Sequence, residues 1–337
     1  YLLPQDKLKA IKSWPFIYWI SDSIRDLFLR HSIEKDSKVI TGIKTGNNNG
    51  ALRYFWEVQD LNKWKTFTKG GPYKKWYGNN WLVVNAIDDF AFIRKQSSFT
   101  IPRKEYLWRE AVSYNETGTK GASFRYIDST ILYSNKASAI FYDDIYFILG
   151  LLNSLLLFYF AECLNPTVNL EIYDVKRLPL PVYDSINGNY KSTVKNLVNI
   201  NIGINKRLSA NFIIEPLYKS SPITPASSPE SELTRYYNYE NALLTQILLN
   251  EAIINRIVFD VYELSEHDRQ MVLDKEGIPV GDLSVSQAAL ESYKTWLKEE
   301  NTEFPASAEV WEHLDSLAID NEQPQITDFE KLYQNNY

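Results

Sequence analysis

An uncharged run, residues 145–161, limits what this 337-residue chain can fold into more than any other stretch. Its length approaches that of a helix that crosses a membrane. Gly150, Asn153 and Ser154 interrupt the run, however, and carboxylates rather than Lys or Arg stand close to its two ends. Because membrane-spanning helices are more often flanked by basic residues, this pattern favours burial inside a protein core.

The run therefore predicts one buried core helix over residues 143–164. Asp143 or Asp144 can cap its first turn, because a carboxylate accepts hydrogen bonds from the unpaired N–H groups at a helix start. Cys163 is then expected to behave as a small buried hydrophobic residue. A lipid-exposed run, as in a membrane-bound protein, is the alternative, and we expect no membrane contact.

The segments on either side of this helix differ in character. Between residues 39 and 133, short aromatic and β-branched runs such as ALRYFWEV and NWLVVNAI are separated by Asn, Gly and Asp, which is typical of strands joined by turns. Residues 232–263 show apolar side chains at three- and four-residue spacing, which is typical of a helix. The sequence predicts an α+β fold: a mixed or antiparallel β-rich domain with a buried helix, followed by a helical C-terminal region.

Four segments are expected from the changes in composition. Residues 1–37 are aromatic and broken by prolines, as in a connector to another domain, and residues 38–218 form the β-rich domain. Residues 219–231 are rich in Pro and Ser and predict a linker. Residues 232–337 form the acidic helical region, with helices over 284–299 and 306–318. The chain begins at Tyr1 without a signal-peptide pattern, so we expect it to be part of a longer polypeptide.

The scarcity of Cys and His limits the chemistry that the chain can carry. A single cysteine excludes an internal disulfide and a thiolate zinc cluster. The three histidines are scattered without the spacing of metal ligands, so no metal site is predicted. A cysteine-poor chain fits a reducing compartment, and we expect a cytoplasmic location.

Charge is distributed unevenly along the chain. Residues 38–126 contain 15 Lys and Arg against 7 Asp and Glu, a net charge of +8. Residues 229–337 contain 7 Lys and Arg against 22 Asp and Glu, a net charge of −15. A basic segment joined to an acidic one suggests a part that binds a polyanion and a part with another task, although two ordinary surfaces would give the same numbers.

Two loops rich in Gly, Asn and Lys lie in the basic segment, at residues 44–49 and 69–75. Glycine lets the backbone approach a ligand closely, and basic side chains beside it can contact phosphate groups. Candidate phosphate contacts are Lys44, Lys69, Lys74 and Lys75. Two hairpin turns with solvated lysines would explain the same loops, because Gly-Asn and Gly-Gly pairs are ordinary turn signals.

Side chains that can read base edges stand in and near these loops. Asn can pair bidentately with adenine and Arg with guanine. The candidates are Asn47, Asn48, Arg53 and Arg125, although the two arginines have surface or buried ion-pair roles as alternatives. Trp76 and Tyr77 offer flat faces for packing beside a duplex, and a role in the protein core is the equal alternative.

The motif Asn165-Pro166-Thr167 resembles the start of the adenine methyltransferase motif N-P-P-Y. It lacks both the second proline and the aromatic residue that stacks on a flipped base. We therefore reject it as a catalytic motif and expect a turn after the buried helix, followed by the extended LPLP segment at 178–181.

Several motifs occur together in a recognisable order. They are TGIKTGNNNGALRYFWEV, KGGPYKKWYGNN, SFRY at 123–126, LGLLNS at 149–154, LNPTVN at 164–169, LPLP at 178–181 and INRIVFDVYELSEHD. Over residues 38–285 the chain resembles the C-terminal target-recognition region of large adenine-specific DNA methyltransferases. These include type IIG restriction–modification enzymes and the PglX-type methyltransferases of BREX phage-resistance systems. Tyr173 departs from the pattern, because a glycine is expected there, and we expect the turn to differ.

The resemblance implies a target-recognition fragment that binds double-stranded DNA and has no catalytic residues of its own. Its parent would carry an N-terminal methyltransferase domain, which would bind S-adenosylmethionine, and other phage-defence subunits would be further partners. No cofactor is expected in the fragment, because neither glycine-rich loop has the G-x-G-x-x-G pattern. The alternatives are an autonomous nuclease, for which Glu57, Glu105 and Glu110 have no convincing metal-binding spacing, and a protein-binding module of a defence complex.

Overall fold

The computed structural model describes residues 17–118, 120–167, 169–223, 228–283, 304 and 306–316. Most of the predicted connector, residues 1–16, and the predicted helix over 284–299 lie outside these ranges. The described part is an α+β fold with a helical C-terminal region, as predicted. Its strands are β1 (Lys38–Ile40), β2 (Leu52–Tyr54), β3 (Trp64–Thr68), β4 (Leu82–Asn85), β5 (Ala111–Tyr114), β6 (Phe124–Ile127), β7 (Leu132–Tyr133) and β8 (Ala139–Phe141).

The helices concentrate in the second half of the chain. They are α1 (Asp22–Leu27), α2 (Ile33–Asp36), α3 (Asn48–Ala51), α4 (Ile87–Arg94), α5 (Ile145–Leu152), α6 (Leu155–Leu164), α7 (Ile172–Arg177), α8 (Gly188–Ser209), α9 (Pro229–Val261), α10 (Glu266–Glu276) and α11 (Ala308–Ser316). Short 3-10 turns occur between several of these elements.

Two four-stranded sheets divide the β-rich region. The first has the order β1-β8-β5-β6, is antiparallel throughout, and packs against the helices in the main hydrophobic core. We call this sheet with its helices the main unit. The strands β5, β6, β7 and β8 are buried along their whole length, and their side chains are apolar or aromatic except for Ser113 and Arg125.

The second sheet has the order β2-β4-β3-β7, with β3 and β7 parallel and the other pairs antiparallel. Together with α3, α4 and the attached loops it forms the satellite unit, which consists of residues 43–68 and 81–107 and is completed by β7. The satellite unit has its own small core, made of Ile43, Ala51, Leu52, Phe67, Val84, Phe90, Ile93, Leu107 and Leu132. The first glycine-rich loop belongs to this unit.

The uncharged run is buried, as predicted, but it forms two helices rather than one. The helices α5 and α6 meet at Asn153 and Ser154 at an angle of 67°. Asp144 caps α5 through its carboxylate, and the hydroxyl of Ser154 caps α6. Asn153 accepts a hydrogen bond from the N–H of Phe124 at 3.1 Å and donates one to its carbonyl oxygen at 2.9 Å. The break is stable because the Asn153 amide binds β6 at the point where helical bonding stops.

The C-terminal helices pack on this core. In α9, a helix of 33 residues, the inward face contacts α8, α5 and α6, and Asn250 donates a hydrogen bond to Asn201 of α8 at 2.7 Å. Gly150 lets α5 approach α8, because a Cβ there would lie 2.5 Å from a methyl group of Val194. By length and composition α9 could also cross a membrane, but 72% of its most apolar window is buried within the protein.

Cys163 lies in this core, 3% exposed, and burial raises the pKa of its thiol to about 12. The thiol therefore stays protonated and packs as a small apolar group, as the sequence predicted.

Replacement of Asn153 by Ala should lower the free energy of unfolding by about 2–4 kcal/mol, because it leaves the buried N–H and C=O of Phe124 without this partner. Urea denaturation monitored by circular dichroism measures the change. Asn189→Ala, at an exposed position in the first turn of α8, is the matched control and should change stability by less than about 1 kcal/mol. Equal effects of the two substitutions would contradict the role assigned to Asn153.

Candidate nucleic-acid interface

The first glycine-rich loop, residues 44–49, is held in one conformation by its own side chains. The side-chain oxygen of Asn47 accepts a hydrogen bond from the N–H of Gly50 at 3.1 Å and thereby caps α3. The Thr45 hydroxyl donates to the side-chain oxygen of Asn48 at 2.7 Å. Gly46 has a φ of 69° and lies so close to Ser98 that a Cβ would clash with its carbonyl oxygen. The loop is therefore ordered, while Asn47 and Asn48 remain exposed.

A segment some fifty residues later in the chain lies beside this loop. Lys44 and Thr100 exchange two backbone hydrogen bonds, at 2.9 and 3.0 Å. The exposed cations Lys95, Arg103 and Lys104 are on this neighbouring segment. We call Lys44, Lys95, Arg103 and Lys104 the basic rim. Among the described residues, none of the four has an ion-pair partner, so their charges are available to an external anion.

Sequence reasoning missed three of the four rim residues. Lys95, Arg103 and Lys104 stand outside any glycine-rich motif, and only the net positive charge of the whole segment indicated them. Their segment lies beside the loop because of the Lys44–Thr100 pairing, which joins residues distant in sequence. The exposed ring of Phe99 lies in the same segment and adds an apolar face beside the charges.

The Arg53 side chain makes contacts within the satellite unit. Its guanidinium donates to the carbonyl oxygens of Asn49 and Leu52, both at 2.6 Å, and lies 5.7 Å from the ring centre of Trp64. These contacts join the end of α3 to β2. The side chain is half-buried, so it is a weaker candidate for base reading than the two asparagines.

The second glycine-rich loop does not join the first. Residues 69–80, which we call the bridging loop, leave β3 of the satellite unit, cross to the main unit, and return to β4. The N–H of Trp76 donates to the carbonyl oxygen of Phe124 at 3.0 Å, and the N–H of Tyr126 donates to the carbonyl oxygen of Trp76 at 2.8 Å. Asn115 also donates to the carbonyl oxygen of Gly71 at 2.8 Å. The bridging loop thus extends the edge of the main sheet at β6.

The prediction that Lys74 and Lys75 contact phosphate has to be corrected, because both ammonium groups have carboxylate neighbours within the protein. Lys75 forms an ion pair with Glu251 at 3.1 Å. Lys74 donates to the Ser209 hydroxyl at 3.3 Å and lies 3.9 Å from Glu215. The physical reason is that Glu251 of α9 and Glu215 of the loop after α8 attract the two ammonium groups at close range.

The pKa shifts of the loop lysines reflect this partial burial. Burial pushes the pKa of Lys75 down, but the Glu251 carboxylate and the Tyr73 hydroxyl more than offset it, so the net shift is upward. Burial lowers the pKa of Lys74, and the Glu215 carboxylate opposes that shift. Lys69 is half-buried, and burial lowers its pKa as well. Of the four predicted phosphate contacts, Lys44 is the one that is exposed, whereas the other three are half-buried.

Three further predicted side chains lie in the core. Trp76 is 1% exposed and its ring N–H donates to Glu251 at 2.8 Å, while Tyr77 packs beside it under the ammonium group of Lys206. The alternative of core packing is therefore the one observed for both rings. Arg125 is 0% exposed and donates to the Asn115 side chain at 2.6 Å, and burial lowers its pKa to about 10. The prediction of Arg125 as a base reader is corrected, because no base edge can reach a fully buried guanidinium.

The Asn165-Pro166-Thr167 motif forms the turn between α6 and α7. Asn165 ends α6 and donates to the carboxylate of Asp174 at 2.8 Å, and that carboxylate also accepts from the N–H of Glu171 at the start of α7. The motif therefore joins two helices. Tyr173 lies inside α7, in ordinary helical geometry, so no glycine is required at this position.

Neither glycine-rich loop fits S-adenosylmethionine. The first loop opens a four-residue helix, and the second crosses to another sheet, so neither forms a strand-to-helix turn that could cradle a nucleotide. Among the described residues there is also no group of three or more His, Cys, Asp or Glu side chains placed to hold a metal ion. We therefore derive no catalytic step from these residues.

Two cavities elsewhere in the protein differ in character from the basic rim. One, of about 860 Å³, is lined by the carboxylates of Asp36, Glu110, Asp143, Asp144 and Asp184, and such a surface repels a polyanion. The other, of about 310 Å³, includes Asn115, Asn165 and Glu276 among its lining residues. Burial, together with the nearby carboxylate of Glu162, raises the pKa of Glu276 to about 7.

No protein-family model matches the chain. The adenine-specific methyltransferase BrxX of Escherichia coli O9:H4 (strain HS) is 24% identical over 296 residues, which cover 81% of this chain and 24% of BrxX. The adenine-specific methyltransferase PglX of Lacticaseibacillus casei (strain Zhang) is 28% identical over 207 residues, which cover 53% of this chain and 17% of PglX. The chain is thus similar to parts of two adenine-specific methyltransferases, as its motifs predicted, and it spans less than a quarter of the length of each.

The raised pKa of Glu276 predicts a pH-dependent stability. The ordinary value of 4.5 applies to the unfolded chain, so between about pH 4.5 and pH 7 the unfolded state releases the proton first and the free energy of unfolding falls as pH rises. Glu276→Gln removes this loss and should be more stable than the parent chain at pH 8 by about 1–3 kcal/mol, with a smaller difference at pH 5.

Urea titrations at the two pH values test this expectation. Glu266→Gln, which replaces an exposed carboxylate on the same helix, is the control and should change the free energy of unfolding by less than about 1 kcal/mol at either pH. If Glu276→Gln changes the free energy of unfolding by the same amount at both pH values, the pKa of the Glu276 carboxyl group is not raised in the folded protein.

Proposed function

We propose that this chain is the DNA target-recognition part of an adenine-specific DNA methyltransferase. The observation that carries the proposal is the basic rim of unpaired cations beside two exposed asparagines on an ordered loop. Unpaired Lys and Arg side chains bind phosphates, and Asn side chains read adenine edges in the major groove. The similarity to BrxX and PglX supports adenine methylation as the reaction of the parent protein, since both are adenine-specific methyltransferases.

In this proposal the residues of the chain hold and orient the duplex. Lys44, Lys95, Arg103 and Lys104 contact the phosphate backbone and fix the register, while Asn47 and Asn48 face the bases. The asparagine oxygens accept hydrogen bonds within the loop, and the NH₂ groups of these exposed side chains would donate to acceptors such as adenine N7. Methyl transfer from S-adenosylmethionine takes place on another domain of the parent protein, onto which the recognition part delivers the flipped adenine.

The phosphate role of the rim predicts a specific change in salt dependence. In a fluorescence-anisotropy titration of the chain with random duplex DNA, the double variant Lys95→Gln/Lys104→Gln should bind more weakly at low salt. The slope of the logarithm of the association constant against the logarithm of the salt concentration should become less negative by about 2. Each lost phosphate contact removes about 0.9 from this slope.

A charge-matched control separates this contact effect from net charge. Arg30→Gln/Lys219→Gln removes the same charge from exposed positions outside the rim and should leave the slope within about 0.5 of the parent value. No binding by the parent chain at low salt, or equal slopes for the two double variants, would reject the rim as a DNA surface.

Base reading predicts a change in sequence preference without a change in salt dependence. Asn48→Ala should reduce discrimination at one or two positions of the preferred site by about 1–3 kcal/mol, because the side chain contributes base-edge hydrogen bonds and no phosphate contact. Selection of duplexes from a random pool, followed by sequencing, measures the preference. Asn189→Ala is the control, and the same selected sequence for all three proteins would contradict the assignment.

A further inference from the structure

The bridging loop joins the satellite unit to the main unit through contacts in both. On the satellite side it continues from β3 and returns to β4, where the N–H of Phe55 donates to the carbonyl oxygen of Trp81 at 3.0 Å. On the main side Trp76 is hydrogen-bonded to Phe124 and Tyr126 of β6. The satellite unit is also joined to the segment after β7, where the N–H of Ile43 donates to the carbonyl oxygen of Tyr133 at 2.8 Å and the N–H of Ser134 donates to that of Thr68 at 2.9 Å. The bridging loop adds a second connection, on the side of β6, and so contributes to the position of the satellite unit and of the basic rim on it.

A single carboxylate of α9 holds the middle of the bridging loop. One oxygen of Glu251 accepts from the ring N–H of Trp76 at 2.8 Å, and the other accepts from Lys75 at 3.1 Å. One helical turn later Asn255 accepts from the N–H of Leu155 at 2.7 Å, which joins α9 to the start of α6. Glu251 thus connects the bridging loop to α9, which is itself hydrogen-bonded to the start of α6.

The backbone of the bridging loop adopts a geometry that needs such support. Gly71, Gly78 and also Trp76 and Asn79 have positive φ values, from 62° to 129°. A bulky residue such as Trp is disfavoured in this region and keeps it only when surrounding contacts over-determine the conformation. For Trp76 those contacts are the two backbone hydrogen bonds and the bond from its ring N–H to Glu251.

We propose that Glu251 is a positioning residue for DNA recognition, which fixes the satellite unit relative to the main unit through Lys75 and Trp76 of the bridging loop. The expected effect of Glu251 on DNA binding rests on the proposed function. The expected effect on the orientation of the satellite unit does not. Without this carboxylate the bridging loop relaxes, the satellite unit samples other orientations, and a smaller fraction of molecules presents the basic rim in the binding arrangement.

Electrostatics alone would give the opposite effect on DNA binding. Glu251→Gln removes one negative charge, and a more positive protein binds a polyanion more tightly. Loss of positioning weakens binding instead, since the apparent dissociation constant rises in inverse proportion to the competent fraction. If that fraction falls to about one tenth, the dissociation constant rises about tenfold. Because no phosphate contact is lost, the salt slope stays at the parent value.

The test uses the full 337-residue chain and two readouts. The first is anisotropy with random duplex DNA across a salt series. The second is a spin-label distance between Ser97→Cys on the satellite unit and Ser192→Cys on α8, both at exposed positions. Cys163 does not interfere, because its thiol is buried and protonated at neutral pH. Glu266→Gln is the matched control, since it removes the same charge from an exposed site.

Two different substitutions break the contact, so that the proposal can still be tested if one of the variants does not fold. Glu251→Gln removes the ion pair, and Trp76→Phe keeps an aromatic ring while it removes the ring N–H. We expect a narrow distance distribution for the parent and the control, and a broader one for both variants. We also expect three- to tenfold weaker DNA binding by the variants with an unchanged salt slope.

Each outcome separates the two proposals. If the parent does not bind DNA but both variants broaden the distance distribution, the proposed function fails and the positioning role of Glu251 stands. If the distributions stay narrow, the positioning role is overturned whatever the DNA result. Tighter DNA binding by Glu251→Gln, with a narrow distribution, would show that its charge acts directly on the polyanion.

Discussion

The carbonyl oxygen of Phe124 is the point on which the arrangement of the protein depends. It accepts a hydrogen bond from the Asn153 amide, where the buried helical run breaks, and another from the N–H of Trp76 in the bridging loop. One backbone group of β6 thereby joins the helical core on one side to the loop from the satellite unit on the other. A carbonyl oxygen has two lone pairs, so both bonds can form at once. The bridging loop is thus connected through β6 to the break between α5 and α6.

The basic and acidic halves of the chain interact within the molecule. Lys74 and Lys75 are neutralised by carboxylates of the C-terminal helical region and its preceding loop, whereas the four cations of the basic rim are not. The net charge of +8 over residues 38–126 therefore overstates the surface available to a polyanion. Part of that charge stabilises the contact between the two units, because a partly buried ion pair is screened less by salt than an exposed one.

The fold class, the burial of the 145–161 run and the helix over α9 could be predicted, because each rests on a pattern that is local in sequence. The break at Asn153 could not, since it depends on hydrogen bonds to a strand 29 residues earlier. The two glycine-rich loops were given the same role because their compositions are alike. The two loops differ in their partners, which are distant in sequence. Lys75 of the second loop binds Glu251, 176 residues later, whereas Lys44 of the first loop pairs with Thr100. The sequence therefore indicates which basic and amide side chains are candidate DNA contacts, but not which of them have partners within the protein.

The small size of the satellite core gives the bridging loop its importance. A unit with so few buried side chains gains limited free energy from its own packing, so its rigidity has to come from covalent and hydrogen-bonded links to a larger body. A loop that only connected β3 to β4 could be a few residues long, as in most hairpins. This one instead covers residues 69–80, pairs with a second sheet and places two lysines and a tryptophan against α9. Its length is explained if the connection between the units is its function, and a surface that reads DNA requires such fixed geometry because base-edge hydrogen bonds tolerate little displacement.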